Sequence, residues 1–397
     1  MKKSILLATS AIIAAGAVAS NAMAVDVKMY GQVNKGIMMY DDGRDSEFNI
    51  VDNDMSSTRF GVRGSQVLDN GMTASVLFEG QMESDSSSAI TQNTAGSIQS
   101  TPADTGAANF QERHTRVGLA GDWGAVFVGR TSTATDGVTE VDLGPVGDIM
   151  GSATSRMGSA LFFRQSSGAL SNFQIGEVID NFDGMAFAGG SADDGTGAAG
   201  AIGGLFGNGF GDRFNVVRYD SPIWNGLQAR VAVAQGGNAD AAVYYNGKFD
   251  AFEVAAGVGH VIYNNVTANS NAARNEVESQ TSGSISVKHD SGLSLTAAYG
   301  ERSYDKKRAG TDDPEFYYVK GGYSWDNWGV AVDYGNYDSI NVDTAANHSA
   351  TATGVGVQYD MGQGVSLAGY FRQFDLDMSG VNTDALNVYG VNMRVKF

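Results

Sequence analysis

The chemistry this sequence can perform is electrostatic, set by charged side chains at regular spacing. In Ser57-Thr58-Arg59-Phe60-Gly61-Val62-Arg63-Gly64 both arginines fall on one parity, and Phe60 and Val62 fall on the other. A strand points alternate side chains to opposite faces, so Arg59 and Arg63 share a polar face. Glu79 shares its parity with Thr73, Ser75, Gln81 and Glu83, against Met72, Ala74, Val76 and Phe78. Arg116 is opposite in parity to Val117 and Leu119, and Arg130, after Val126 and Val128, is read onto the same polar wall. Thr131 to Asp212 has no comparable alternation, and its first half carries Asp136, Glu140, Asp142 and Asp148. Arginines on a wall facing carboxylates on a loop are the ingredients of a charged constriction. Clustered like charges persist only with counter-charges or open water, and Glu79 is placed to pair with the arginines. The plainer reading is that these are ordinary solvated side chains of a polar face.

Other chemistries find little support. His114, His260, His289 and His348 are scattered, without metal-ligand spacing. Asp41-Asp42 and Asp52-Asn53-Asp54 are acidic runs of a kind that either hold calcium or are simply solvated. The absence of cysteine removes disulfide and thiol chemistry. No nucleophile signature occurs, and Gly354-Val355-Gly356 lies in a strand-like run, not a phosphate loop. The expectation is therefore no enzyme, no metal and no cofactor. An excess of 44 acidic over 26 basic residues, with no basic face, argues against a nucleic-acid partner.

The elements that must position these residues are short strands. Residues 1–24 read as a cleaved signal peptide, with Met1-Lys2-Lys3, an apolar Ile5–Ala19 and an Ala22-Met23-Ala24 cleavage site. The remaining domain is 25–397, and removal of two lysines takes the formal net charge from −18 to −20. No later apolar run is long enough for a membrane helix. Period-two alternation predicts sixteen strands: 27–40, 58–67, 72–84, 110–120, 123–130, 213–221, 227–234, 241–249, 252–263, 279–290, 293–302, 315–325, 327–337, 348–360, 365–375 and 386–397. Connections alternate between short turns at one end and mostly long polar loops at the other, the pattern of an outer-membrane barrel. The fold expected is all-β, a transmembrane antiparallel barrel of sixteen strands with its apolar face toward lipid and a water-filled lumen. Trp123, Trp224, Trp325 and Trp328 flank short turns, as an interfacial girdle requires. The segment from Thr131 to Asp212 is read as a third external loop folded into the lumen, with Gly144-Pro145-Val146-Gly147 either its tip or a surface turn. The acidic total predicts a modest cation preference at low salt.

Several pieces in order resemble the general porins of Gram-negative bacteria. They are Val27-Lys28-Met29-Tyr30-Gly31, Ser57 to Gly64, Thr115-Arg116-Val117-Gly118-Leu119, Gly129-Arg130, Val217-Arg218-Tyr219-Asp220-Ser221-Pro222 and the final Phe397. The resemblance implies a homotrimer in outer-membrane lipid, with Phe397 as the assembly signal read by the barrel-assembly machinery. It implies passive diffusion of ions and small hydrophilic solutes past a constriction formed by the third loop. It also turns the face of Arg213, Asn215, Val217 and Tyr219 inward, which adds Arg213 to the wall and leaves out Arg218. A substrate-selective channel and a structural or adhesive barrel are the alternatives. The third loop here is longer than such proteins usually carry.

Overall fold

The computed structural model describes residues 25–92, 110–185, 213–264, 276–307, 310–340, 347–380 and 382–397. The expected signal peptide and residues 186–212 of the long loop lie outside them. The strands are β1 Asp26–Asp41, β2 Ser46–Asp52, β3 Arg59–Val67, β4 Thr73–Met82, β5 Phe110–Gly121 and β6 Gly124–Ser132. Within the long loop are β7 Phe162–Arg164, β8 Leu170–Gln174 and the one-turn helix α1 Ile175–Val178. The barrel resumes with β9 Arg213–Asp220, β10 Leu227–Ala234, β11 Ala239–Phe249, β12 Phe252–Ile262, β13 Glu276–His289 and β14 Leu293–Lys306. It ends with β15 Glu315–Trp325, β16 Trp328–Asp338, β17 His348–Gly362, β18 Val365–Met378 and β19 Leu386–Lys396.

Every ladder of the barrel is antiparallel, and β1 pairs β19 from Gln32↔Lys396 to Asp41↔Asn387. The Gly31 and Phe397 backbones exchange both hydrogen bonds at 3.0 Å, which completes the seam. Closure leaves no open edge to strand peptide groups in hydrocarbon. The sheet has seventeen strands, but β2 and β3 share one barrel position. β1 pairs β3 through Asp26–Gln32 and β2 through Lys35–Asp41, with a 3-10 turn at Asp54–Ser56 between them. The barrel therefore has sixteen positions, and the interruption in the second was not expected.

Val76, Phe78, Val117, Val128, Val217, Val258, Leu295, Val332 and Val391 are exposed on the outer face, and the four tryptophans are exposed beside short turns. The inner face is not uniformly polar. Phe316, Tyr318, Tyr337, Ala352, Phe374 and Val388 are buried there in one apolar cluster with Val146, Ile149, Met150, Leu161, Phe163 and Phe182 of the long loop. Among the described residues the largest apolar cluster therefore joins side chains of the long loop to side chains of β14 to β19, with Met38, Tyr40 and Val51 of β1 and β2.

Candidate functional site: a charged bore wall and its loop

Glu79 on β4 is the centre of a polar cluster at the loop end of the wall. Its Oε1 accepts from Arg113 Nε at 2.6 Å and lies 3.9 Å from Arg59 Nε, and its Oε2 accepts from the Tyr30 hydroxyl at 2.8 Å. Arg113 also donates to Gln81 Oε1 at 2.8 Å. Arg213 Nε donates to His114 Nε2 at 3.2 Å, and His114 Nδ1 lies 3.0 Å from Thr131 Oγ1. An arginine can only donate, so the His114 ring is neutral, with its proton on Nδ1 directed at Thr131. The structure thus brings Arg59, Arg213 and Glu79 into one cluster.

Arg113 was not among the expected residues. The β4–β5 register steps from Glu79↔His114 to Gly80↔Glu112, so Arg113 is the extra residue of a β-bulge. Arg113 and Arg116 are three apart, and an odd spacing puts two strand residues on one face only across a bulge. That was the available signal. Arg63 and Arg116 lie nearer the short turns, away from Glu79. The Arg63 guanidinium sits 5.5 Å from the Tyr30 ring centroid, and that of Arg116 sits 4.0 Å from Phe127.

Two expectations of parity are corrected. Arg130 pairs in register with Asn215, on the outer parity of Val126 and Val128, and donates to the Glu112 carbonyl at 3.1 Å. On β9 the inward face is Phe214, Val216, Arg218 and Asp220, whereas Asn215 and Val217 are exposed. The loop residue Met185 packs on Phe214 and Val216, which explains why apolar side chains point in at this place. Arg218 grips Asp220 at 2.9 and 3.1 Å and donates to the Ser132 carbonyl at 2.9 Å. Arg213, at the top of the strand, reaches the cluster despite its parity.

The four loop acids all meet cations, though mostly not the expected ones. Burial alone would raise the Asp136 carboxyl, but Arg213, the Ser132 hydroxyl and Arg156 hold it below the usual carboxylate range. Glu140 pairs with Arg156 of the same loop at 2.8 Å. Asp142 pairs with Lys320 on β15 and accepts from Thr296 Oγ1 at 2.7 Å. Asp148 pairs with Arg394 on β19. Arg302 on β14 donates to Asp180 at 2.8 Å. Lys320 is the one charge at the inward positions of β15, and Arg394 shares its inward parity with Lys396, which is the signal that parity alone offered.

Backbone groups anchor the loop as well. Asp240 on β11 accepts from Ala134 N at 3.2 Å and from Thr135 N and Oγ1 at 2.8 and 2.6 Å. Asp183 accepts from Gly137 N at 3.0 Å and Thr139 N at 3.1 Å, tying the far part of the loop to its start. Ser284 and Ser286 on β13 accept from Val141 N and Leu143 N at 3.0 and 2.9 Å. Gly322, Ala331 and Gly356 stand in one row across β15, β16 and β17. A Cβ on Gly322 would stand 2.6 Å from Pro145, and one on Gly356 would stand 2.4 Å from Met150, so small residues here make room for the loop tip. The β7–β8 hairpin docks at the outer loops, where Arg164 grips Asp42 at 2.9 and 2.7 Å and reaches Asp45 at 2.9 Å. After β4, burial with Asp54 and Asp52 pushes the Glu83 carboxyl up to about 10.

Among the described residues no cluster of three or more His, Cys, Asp or Glu side chains is arranged to hold a metal. The acidic runs are occupied: Asp42 by Arg164, Asp52 by Lys35 at 2.5 Å, and Asp54 by Ser86 and by Ser88 N at 3.0 Å. Gly354 and Gly356 lie inside β17, as expected of a strand.

Residues 8–379 match the Gram-negative porin family. The chain belongs to that family. The anion-selective porin from Comamonas acidovorans superposes with a TM-score of 0.57 at 17% identity, covering 94% of this chain and 100% of that one. OmpT of Vibrio cholerae, an outer membrane protein described in its trimer form, superposes with a TM-score of 0.54 at 14% identity, covering 94% and 100%. At these identities the likeness concerns the fold. No curated protein matches the sequence. The porin is an outer-membrane channel for solutes, and its family and fold are those of channels, not enzymes.

Proposed function

We propose that this porin passes ions and small hydrophilic solutes by passive diffusion through a bore bounded by Arg59, Arg113 and Arg213 on the wall and by Asp136 and Glu140 on the loop. In this reading the loop lies inside the barrel against β13 to β19 and leaves the bore beside β3 to β9. The observation that carries it is the hydrogen bonding of residues 134–184 to inward side chains of β11, β13, β14 and β16. Opposed charges across a narrow bore orient polar solutes, while the water between them keeps the barrier low.

Selectivity follows the charges nearest the permeation path, not the total. Arg59 and Arg113 share Glu79 as their wall counter-charge, Arg213 is held by His114, and Asp148 is taken up by Arg394. The bore therefore favours small anions, contrary to the cation preference that net charge suggests. The test is a reversal potential in a KCl gradient for the wild type and for Arg59→Ala with Arg113→Ala. An anion-favouring potential that weakens in the double variant is expected, and a cation-favouring wild type would contradict it.

The exposed apolar residues Met29, Ile37, Met39, Phe48 and Ile50 on β1 and β2 offer a contact face for a homotrimer. The exposed ring of Phe397 at the seam is available to the assembly machinery.

A further inference from the structure

Below the constriction, toward the short turns, a second row of wall residues runs across three strands. Arg63 on β3 is paired in register with Leu77 on β4, and Leu77 with Arg116 on β5. All three share the inward parity, since Val62, Val76, Phe78 and Val117 face outward. Among the described residues neither guanidinium has an ion pair or a hydrogen-bond acceptor, and Nε and Nη1 of Arg116 are without partners. The wall arginines above them, Arg59, Arg113 and Arg213, are all engaged. The Arg63 and Arg116 planes are instead backed by the Tyr30 and Phe127 rings. A cation held over an aromatic face keeps its N–H edges directed away from the ring. Such an edge matches the two oxygens of a carboxylate. The two arginines stand two inter-strand spacings apart, roughly 10 Å, with an apolar leucine between them.

We propose that Arg63, Leu77 and Arg116 form a station for organic carboxylates. The carboxylate pairs with the exposed guanidinium edge of Arg63, and the hydrocarbon body lies across Leu77. Arg116, whose Nε and Nη1 are buried, adds its charge at the far end. An inorganic anion satisfies the charge but leaves Leu77 facing water. An organic carboxylate satisfies both, so hydrocarbon length should set the affinity. The inference goes beyond unselective diffusion and rests on the reading of a water-filled bore.

The test is chloride current through the full-length trimer in planar bilayers, titrated with hexanoate, acetate or sulfate. Hexanoate should reduce the current saturably, at concentrations where acetate and sulfate do little. Arg63→Gln with Arg116→Gln should raise the half-effective hexanoate concentration at least tenfold, the scale of losing charge-assisted hydrogen bonds. Leu77→Ser should raise it roughly fivefold for hexanoate, the scale of one to two methylenes, and leave acetate unchanged. Arg63 is exposed, so Arg63→Gln alone supplies the comparison if the double variant does not assemble. Chloride current with no hexanoate effect, or an effect indifferent to these variants, would overturn the station while leaving the channel intact. Absence of chloride current in folded wild-type trimer would overturn both.

Discussion

Replacing Gly356 by valine fills the groove that receives the loop tip. A Cβ there would stand 2.4 Å from the Met150 sulfur and 2.8 Å from Val146 Cγ1. Ordinary contact is near 3.5–4.0 Å, so the tip must withdraw by about 1–1.5 Å. Overpacking of this kind costs about 1–3 kcal/mol. Ten loop side chains hold against it, namely Val146, Ile149, Met150, Met157, Leu161, Phe163, Ile175, Val178, Ile179 and Phe182, all buried in one cluster. At about 1.5–3 kcal/mol each they contribute on the order of 15–30 kcal/mol as an upper bound. The loop should therefore shift into the bore without detaching from the wall. The control is Lys320→Met with Asp142→Leu, which replaces a loop-to-wall ion pair by apolar side chains. Such exchanges are commonly neutral, because the desolvation cost disappears together with the attraction. Single-channel conductance and the temperature of thermal unfolding read both variants. Gly356→Val should lower both, and the charge-pair replacement should leave both near wild type. If the order is reversed, ion pairs rather than apolar packing hold the loop.

Glu83→Gln should change how stability depends on pH. The Glu83 carboxyl titrates near 10 in the fold against an ordinary value of 4.5, so its protonated form stabilises the fold fully below about pH 4.5 and progressively less as pH rises toward 10. The loss is at most about 1.4 kcal/mol per pH unit, and the slope belongs to the Glu83–Asp54 pair. The variant should match the wild type in melting at pH 4 and exceed it at pH 9, whereas parallel profiles would place Glu83 in open water. Asp240→Ala leaves Ala134 N, Thr135 N and Thr135 Oγ1 without their acceptor, at about 1–3 kcal/mol each. It should loosen the loop root, read as added current noise and new protease cleavage near residue 135. Unchanged noise and unchanged cleavage would show that the root is fixed by other contacts.

Much of the barrel was legible because alternation and turn chemistry are local. All sixteen expected strands are present, displaced by a few residues at their ends, and the seam joins the first to the last. What failed depended on contacts distant in sequence. The resemblance turned Arg213, Asn215, Val217 and Tyr219 inward and so misplaced the β9 face, where Phe214 and Val216 are buried against Met185 instead. The rule that apolar side chains face lipid gave no warning that Phe316, Tyr337 and Phe374 would line an inner wall against the loop. Arg113 was hidden by a bulge that reverses parity within its own strand. The acids of the loop were recognisable as pairing groups, but a strand pattern holds no information on whether Asp142 meets Arg59 or Lys320. The small residues at 322, 331 and 356 look like ordinary strand interruptions until the register lines them up.

The most direct test is whether the loop faces the bore opposite the arginines. The chain contains no cysteine, so a single Glu140→Cys variant carries a unique thiol on a partly exposed loop residue. Conductance is recorded while a bulky cationic thiol reagent is added, and labelling is confirmed by intact mass. Modification should reduce the current in discrete steps. Complete labelling with unchanged current would place the loop outside the permeation path and contradict the charged bore proposed here.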